Sequence, residues 1–580
     1  MDVFHTHEGK SILTNRKQND KGFSYLLAIG ITATYMIGTG FVTIPWAFYE
    51  GGIVLSSITM IVVLVLCNTT KNYVLTVMAR AEEITSSTCN YFDSENVCEK
   101  TAIKIHDMHV ISEDEDLEVE SIIKYSSYGS ADCASNDNSR HDDVEVVEDK
   151  STIHTIDTES TSCGNTVEID AYSHIEENSI DKSNSTRSIN FGNSIDSSKN
   201  LKLVIKERKF EYTELCRLFM GKTGETSYLI AVAVNMYLQL WGYTNVFSSA
   251  MAVALPIKHS FDYDYGVYTL AYALVVIPLS CIELKEQVAS QLALSFIRFS
   301  AIFLMIFTVI YAMSIGDDAT SFSDMGSHVR EHSELPLVDF KNFHQMLAVL
   351  VYLALFHNGI PVLAQPVADK TKLSSIMMWA IAIVGGSCWV LGIVVAFYFG
   401  PHIATSENIN WNTYVGGTGR AVYLDDDKQA YEWIGVKWWA FAIRVFIVCV
   451  PALNILSHPS YAIVLGNNLL VGIGGSPEII HSNKWKVFFR LWATIPPIIG
   501  AMFVKDIGII ASYAGVLSQV TAITFPSILF IRSKQMVDEK LGPKETYYDG
   551  LGSSTSVAWV IFVLSITTVI YTMWMMVTGS

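Results

Sequence analysis

The sequence predicts an all-α multispanning membrane protein with eleven transmembrane helices. Its 580 residues are 50% hydrophobic and only 17% charged, compared with about 25% charged residues in soluble proteins. Several apolar runs reach the ~20 residues that a helix needs to cross a bilayer. Much of the net charge of -18 lies in one polar stretch, Glu82 to Asn200, so the acidic character describes a loop and not the membrane body.

Apolar length and flanking breaks define the eleven spans. They are residues 24–48, 52–78, 226–254, 264–282, 289–314, 343–364, 375–400, 435–469, 486–504, 507–531 and 556–577. The tail before span 1 has no small-residue cleavage pattern, so we expect that span to be retained. The chain then divides into a tail 1–22, spans 1 and 2 in 23–79, a polar loop 80–210, and a last region 211–580 with an interfacial helix and spans 3 to 11.

Basic residues indicate the orientation. They cluster in the tail and in the loops on the same side, as with Arg16, Lys206, Lys370 and Arg532, while opposite loops carry acid such as 425–427. The positive-inside rule therefore predicts a cytosolic N-terminus and an extracellular or lumenal C-terminus. The membrane could be the plasma membrane or that of a vacuole or lysosome.

The loop 80–210 is rich in Ser, Asp, Glu and Asn. It lacks the apolar periodicity that a buried core requires, so we expect it to be largely disordered. It could be a solvated spacer or the docking segment of a cytosolic protein partner. The residues that follow, 210–219, predict a short amphipathic helix at the cytosolic interface, which would present span 3.

Span 1 contains a helix-breaking segment, Gly38-Thr39-Gly40. A helix in hydrocarbon cannot leave backbone groups unpaired, so this segment is either closely packed or an unwound site that faces a cavity. An unwound turn would offer N–H groups to a carboxylate and carbonyl groups to an ammonium or cation. Thr32, Thr39 and Thr43 would place three hydroxyls on one helical face beside it.

Span 6 contains a second break, Phe356-His357-Asn358-Gly359, followed by a proline. Two broken helices five spans apart are what an inverted repeat of five spans predicts, with a substrate held where the breaks meet. His357 could titrate near neutral pH and respond to a proton gradient. It could equally hydrogen-bond a neighbouring carbonyl group.

Polar residues recur inside several other spans. In span 3, Asn235 and Gln239 lie one helical turn apart, and Asn454 and Ser457 are similarly placed in span 8. Such side chains either line a permeation path or hydrogen-bond helices to one another. We expect Asn235 to face the cavity.

Arg298 is the most costly residue to place in the membrane. It lies about nine residues into span 5, which is ~14 Å along the helix axis. Because a guanidinium keeps its proton, Arg298 cannot carry one across the membrane. It could be a fixed cation where other transporters bind sodium, or an anchor for the carbonyl groups of a broken helix. Arg444 in span 8 poses the same question.

The sequence contains no metal-ligand set, nucleophile elbow or Walker loop. We therefore expect neither an enzyme nor a bound cofactor, and no nucleic acid partner.

The motif IGTGFVTIPWAFYEGG in span 1 resembles the opening of the amino acid/auxin permease family, part of the amino acid-polyamine-organocation superfamily. The similarity continues through FHNGIPVLAQPVADKTKL, PALNILSHPSYAIVLGNNL and VKDIGIIASYAGVLSQVTAITFPSILFIR. The details around Arg298, RVFIVCVP, GNNLL and SYAG resemble the transmembrane protein 104-like branch of that family.

This resemblance implies a LeuT-type 5+5 inverted repeat plus one extra helix, which alternates access by rocking one bundle against another. It also implies amino acids as substrates, with H+ or Na+ as the coupling ion. The matching family positions for the substrate are Gly38, Thr39 and Gly40 in span 1 and His357, Asn358 and Gly359 in span 6. Asn454 and Ser457 match the part of span 8 that faces the ion in relatives.

These observations predict a secondary active transporter, a symporter of amino acids or similar small zwitterions. The predicted substrate-binding residues are Gly38, Thr39, Gly40, Asn235, Phe356, His357, Asn358 and Gly359. The predicted ion-coupling residues are Arg298, Asn454 and Ser457. The alternative is a transport-deficient amino acid sensor that signals through the cytosolic loop.

Overall fold

The computed structural model describes the helical body of the protein. The described residues are 23–38, 40–94, 202–206, 208, 210–258, 260–282, 287–315, 321–322, 336–417, 420–423, 431–434, 437–474, 482–550 and 552–578. The chain divides into two compact units, one of which comprises residues Asn90–Asn200. Apart from the last turn of one helix, all described residues belong to the other unit. The predicted tail 1–22 and most of the predicted loop 80–210 lie outside the described residues.

The described residues of the first half of the body contain six helices, which follow predicted spans 1 to 5. They are α1 (Tyr25–Met36), α2 (Ile44–Gly51), α3 (Ile53–Ser94), α4 (Tyr212–Ala254), α5 (Phe261–Cys281) and α6 (Gln287–Ile315). A 3-10 turn, Gly40–Thr43, joins α1 to α2, and the chain bends there by 56°. α3 is longer than predicted: span 2 was expected to end at residue 78, whereas the helix continues to Ser94.

In the second half, the residues that the structure describes contain nine helices, which follow spans 6 to 11. They are α7 (Phe343–Leu353), α8 (Ile360–Ala364), α9 (Leu373–Phe399), α10 (Trp438–Cys449), α11 (Asn454–Gly474), α12 (Asn483–Phe503), α13 (Ile507–Gln519), α14 (Phe525–Leu541) and α15 (Thr555–Thr578). Short turns divide three of the predicted spans. They are the 3-10 turns His357–Gly359 and Val450–Leu453 and the π turn Val520–Thr524.

The long connection between α9 and α10 has structure of its own. It contains a 3-10 turn, Glu407–Thr413, and two short strands, β1 (Arg420–Tyr423) and β2 (Tyr431–Ile434). The strands pair antiparallel, with Arg420 opposite Ile434. Sequence patterning did not predict this hairpin.

The protein is an all-α, multi-pass integral membrane protein, as predicted. Within the described residues, nine helical segments are long and apolar enough to cross a membrane, and the bent pair α1–α2 makes ten. Predicted span 3 is helical within α4, but its polar residues lower its hydropathy and it is not among the ten. The count of eleven spans therefore stays a prediction.

The segment 210–219, which the sequence predicts to be an interfacial helix, is helical from Tyr212 and forms the start of α4. Glu211 and Glu214 form a capping box at its N-terminus, which satisfies backbone N–H groups that the first turn leaves unpaired. Gly221 interrupts the helix with a φ of 70°, a left-handed conformation that glycine adopts without steric cost. The chain changes direction there before it enters span 3.

The helices pack in two groups. In the first, α4, α5, α11 and α12 each contact the other three. In the second, α9 contacts both helices that flank the span 1 bend, α1 and α2, and α2 also contacts α7. α13 contacts α7 of the second group and α4 of the first. Among the membrane segments, the most buried are α7–α8 and α13–α14, whereas α15 is the least buried. Span 6, which contains the break at His357–Gly359, is therefore among the most deeply buried segments.

Close packing of α13 on α7 predicts the effect of one substitution. A Cβ at Gly515 would lie 2.0 Å from the carbonyl oxygen of Ala348, a backbone atom that cannot move away cheaply. We expect Gly515→Ala to destabilise the protein by about 1–3 kcal/mol, the range typical of overpacking. Thermal unfolding of the purified protein in detergent measures this.

The matched control is Gly386→Ala in α9, where an added Cβ meets no atom within 4 Å. Its melting temperature should be unchanged or slightly raised, because alanine is the better helix former. Equal melting temperatures for both variants would contradict the predicted contact between α13 and α7.

Candidate functional site

The span 1 break frees a backbone carbonyl group inside the membrane. α1 ends at Met36, and the N–H of Gly38 donates to the Met36 carbonyl at 2.9 Å. The next regular element, a 3-10 turn, begins at Gly40. The Ile37 carbonyl group therefore has no place in the hydrogen-bond pattern of α1. Thr39, a predicted substrate-binding residue, lies outside the described residues.

The guanidinium of Arg298 binds this freed carbonyl. Its Nη1 donates to the Ile37 carbonyl oxygen at 2.7 Å, and its Nη2 donates to Ser457 Oγ at 2.9 Å and Asn454 Oδ1 at 3.3 Å. Arg298 is buried, and a rigid fork of N–H donors can reach acceptors in two directions at once. The structure therefore brings together the three predicted ion-coupling residues and joins α6 and α11 to the end of α1.

The span 6 break is also present, but its histidine bonds to α3. Nε2 of His357 lies 2.9 Å from Thr70 Oγ1 and 3.2 Å from the Cys67 carbonyl oxygen. His357 is fully buried, and its Nδ1 has no hydrogen-bond partner among the described residues. This geometry matches the second interpretation of His357, in which the imidazole hydrogen-bonds a neighbouring carbonyl.

The other residues of this break have different surroundings. Phe356 is fully buried and packs against the imidazole ring of His357, whereas Asn358 is half-buried. A Cβ at Gly359 would lie 2.4 Å from the Tyr35 ring. Glycine at this position therefore allows α1 to approach the break closely, which is the packing role that small residues have in membranes.

A cavity of about 30 Å³ lies between the two breaks, with room for about two water molecules. Its wall consists of two glycines, one amide, four tyrosines and three apolar side chains, and none of these residues is charged. They are Tyr35, Met36, Gly38, Gly40, Gln239, Tyr243, Tyr352, Leu353, Leu355 and Tyr461. The glycines of the span 1 break thus face a cavity, and an amino acid could enter only if the breaks moved apart.

The polar residues of spans 1 and 3 differ in whether they line the cavity. Asn235 is buried, does not line the cavity, and lies with its Nδ2 3.5 Å from Ser518 Oγ on α13. Gln239, one turn further along α4, lines the cavity instead. The hydroxyls of Thr32 and Thr43 donate to carbonyl groups of their own turns, those of Ala28 and Gly40.

Sequence reasoning missed Lys71 on α3. It is fully buried, and its Nζ donates to Asn72 Oδ1 at 2.8 Å and to the carbonyl and Oγ of Ser374 at 2.6 and 3.0 Å. All three ammonium hydrogens have an acceptor, so Lys71 joins α3 to α9. A lysine inside predicted span 52–78 was the available signal, because charged residues at membrane depth are rare.

The described residues hold no group of three His, Cys, Asp or Glu side chains placed to bind a metal ion. Binding chemistry around the cavity therefore rests on backbone groups, hydroxyls and an amide.

Comparison with known proteins supports the membrane assignment. No family model matches the chain. Over 329 residues it is 22% identical to a protein described as "Transmembrane protein 104 homolog" from Dictyostelium discoideum, which covers 55% of this chain and 61% of the relative. The chain thus matches less than two thirds of that relative's length.

The solved structures with similar coordinates include variants of the manganese transporter of Eremococcus coleocola. One has a TM-score of 0.42 and 11% identity, with coverage of 100% of this chain and 90% of that chain. Another has the same TM-score and 10% identity, with coverage of 96% and 87%. A likeness at this level establishes neither fold nor cargo.

The contacts of Arg298 predict a large loss of stability when its side chain is removed. Arg298→Ala would leave the Ile37 carbonyl and the Ser457 hydroxyl without their donor, and each buried unsatisfied group costs about 1–3 kcal/mol. We expect a decrease of about 2–5 kcal/mol in unfolding free energy, measured by thermal unfolding in detergent. Arg532→Ala, at an exposed position of α14, is the control and should change stability by at most about 0.5 kcal/mol. Equal melting temperatures would show that Arg298 does not hold the break.

Proposed function

We propose that the protein is a secondary active transporter of amino acids or similar small zwitterions. The observation that carries this proposal is the cavity between the two interrupted helices, α1–α2 and α7–α8. Broken helices that meet inside a membrane body are the structural element from which many secondary transporters build their substrate sites.

The lining of the cavity favours a zwitterion over an ion. A substrate with a full net charge would require a compensating charge in a low-dielectric site, and none of the lining residues is charged. A zwitterion could instead place its carboxylate at the backbone N–H groups of the span 1 break and its ammonium at the carbonyl groups of the span 6 break. Gln239 and the tyrosine hydroxyls would orient it.

The two helix groups support a LeuT-type 5+5 repeat. Helices α4 and α5 belong to predicted spans 3 and 4, and α11 and α12 belong to spans 8 and 9, five spans later. Likewise α1–α2 form span 1, and α7 forms part of span 6. Each group therefore contains helices at equivalent positions of two five-span halves, and we propose that the groups rock against each other around the cavity.

Arg298 favours a proton over sodium as the coupling ion. Its guanidinium already binds the carbonyl and side-chain oxygens, on α1 and α11, that a sodium ion would need as ligands. A permanent charge at this position would make sodium redundant and repel it.

The test is uptake of labelled amino acids into proteoliposomes that contain the purified protein. We expect accumulation of at least one amino acid when a proton gradient is imposed, and none without a gradient. Uptake driven by sodium alone would retain the transporter but refute proton coupling. No gradient-dependent uptake across all twenty amino acids would refute transport itself.

A pair of glycine substitutions on one chain segment tests where the substrate binds. Gly38 lines the cavity, and an added Cβ would have only the Tyr243 hydroxyl nearby, at 3.9 Å. Gly38→Val should therefore fit without unfolding the protein but fill the cavity and reduce uptake to background. Gly30 of α1 is exposed with open space around it, so Gly30→Val should leave uptake unchanged. Equal loss of uptake in both variants would refute binding at the span 1 break.

A second candidate function, an amino acid sensor that signals through loop 80–210, also has a specific observation in its favour. The end of that loop is attached to the helical body: the N–H of Leu203 donates to the Glu545 carbonyl at 2.8 Å, and the N–H of Tyr547 donates to the Leu203 carbonyl at 3.0 Å. The carboxylate of Glu82 on α3 accepts from the N–H of Lys206 at 2.7 Å. A conformational change in the helical body could therefore be transmitted to the loop 80–210 through these hydrogen bonds.

Deletion of residues 95–200 separates the two functions. On the proposed orientation this loop is cytosolic, so a sensor should lose its amino acid-dependent protein partners in an affinity purification when the loop is removed. A transporter should keep its uptake in proteoliposomes after the same deletion. An unchanged set of partners would count against sensing.

A further inference from the structure

One buried acid is not explained by the site above. Glu407 begins the 3-10 turn Glu407–Thr413 in the connection between α9 and α10, and its side chain is fully buried. Neither of its carboxyl oxygens has a hydrogen-bond partner among the described residues. Buried polar groups in proteins are nearly always paired, so an exception needs a physical reason.

The neighbouring polar side chains of the same turn are paired. Asn408 Nδ2 donates to the Val448 carbonyl at 3.3 Å, and Asn410 Nδ2 donates to the His402 carbonyl at 2.8 Å. Trp411 Nε1 donates to Thr308 Oγ1 at 2.9 Å. Hydrogen bonds thus hold the side chains of this turn in place, and the Glu407 carboxyl group differs from them in having no partner among the described residues.

No cation in the surrounding elements pairs with this carboxyl group. The turn packs against α10, whose guanidinium, Arg444, directs Nη2 to Asn412 Oδ1 at 2.8 Å. The other titratable group on that helix is Cys449, and α9, whose Phe399 packs on Trp411 of the turn, contributes Tyr398 and Cys388, the latter near Glu407. Within the described residues Glu407 forms no ion pair.

Three further elements lie against this turn. The 3-10 turn Gly40–Thr43 has no titratable group, and α4 from Gln239 onward has only Tyr243. α6, whose Thr308 bonds Trp411, carries Tyr311 and Arg298, and Arg298 binds Ile37, Asn454 and Ser457. Burial raises the pKa of the Glu407 carboxyl well above its ordinary value, because a charge without a partner is strongly disfavoured in a low-dielectric site. Burial in this conformation therefore favours the neutral carboxylic acid over the carboxylate.

The position of the turn connects this acid to the proposed site. Residues Glu407–Thr413 pack on Gly40–Thr43, the turn at which span 1 bends. All four residues of that bend are buried, so the connection helps to cover the break beside the cavity. Glu407 thus belongs to the turn that packs directly on the bend of span 1.

We propose that Glu407 is the proton-binding residue of the transporter, which gains one proton when the turn Glu407–Thr413 closes over Gly40–Thr43 and loses it when the two turns separate. The proton comes from water on the side of the α9–α10 connection and converts the carboxylate to the carboxylic acid. This inference rests on the proposed transport function. Proton coupling requires a group that gains and loses a proton, which Glu407 can do and Arg298 cannot.

The direction of the pH effect follows from the linkage between protonation and closure. The closed conformation has the higher carboxyl pKa, so it binds more protons and is favoured as the pH falls. Opening is favoured as the pH rises. Glu407→Gln imitates the protonated acid and should hold the turn closed at every pH.

Infrared spectroscopy of the purified full-length protein tests the protonation state. The carbonyl stretching band of a protonated carboxylic acid should be present at neutral pH and weaker in Glu407→Gln. The control is Glu83→Gln, whose carboxylate pairs with Lys544 at 2.7 Å near the surface and should leave the band unchanged. A band of equal strength in wild type and Glu407→Gln would overturn the proposal.

Thiol labelling tests whether protonation controls closure. Cys388 is fully buried, so in a variant with Cys388 as the only cysteine, labelling should require the turn to open. Thiolate formation raises the labelling rate with pH in every protein, so the measured quantity is the ratio of the rates with Glu407 and with Glu407→Gln. That ratio should rise by up to about tenfold per pH unit, the limit for one proton. A ratio independent of pH would overturn the proposal.

A second variant keeps the test decisive if Glu407→Gln does not fold. Glu407→Asp retains a titratable carboxyl group in a shorter side chain, so the midpoint of the pH-dependent labelling should shift relative to wild type. An unchanged midpoint would overturn the proposal. None of these measurements needs a transported substrate, so a failure of uptake and a failure of the Glu407 assignment are distinguishable.

Discussion

The interaction on which the rest of this structure depends is the hydrogen bond from Arg298 to the Ile37 carbonyl oxygen. Hydrocarbon provides no water for an unpaired carbonyl, so a helix can be interrupted at membrane depth only where another group takes over its hydrogen bonds. The guanidinium does this from α6 and simultaneously binds Ser457 and Asn454 on α11. The bend of span 1, the glycines in the cavity wall and the approach of Gly359 to Tyr35 all require that the break be held open.

Buried cations in this protein share one pattern, in which each binds neutral acceptors on a neighbouring helix. Lys71 joins α3 to Ser374 of α9, and Arg80 of α3 donates to the Phe530 carbonyl and Ser533 Oγ of α14. Hydrogen bonds from a charged donor are stronger than those between neutral groups. Such contacts fix the helices relative to one another.

The sequence predicted the membrane class and both helix breaks, because apolar length and Gly-rich interruptions are local properties of the chain. It could not predict which polar side chain of α4 would reach the cavity: Asn235 and Gln239 are one turn apart, and helix packing alone decides between them. His357 shows the same limit, since its bond to Thr70 depends on the rotation of α3. The burial of Glu407 was also hidden, because an acid in a polar connection resembles any solvated loop residue until the connection is seen to pack on α4 and α10.

A transporter that couples to protons needs one group that changes charge and others that do not. Arg298 is suited to the constant role, because its guanidinium keeps its proton under ordinary conditions. Glu407 has the opposite properties, namely a carboxyl group without a partner among the described residues, placed against the bend of span 1. A fixed cation on one side of the break and a titratable acid on the other would let a single hinge respond to pH without disturbing the bonds that hold it.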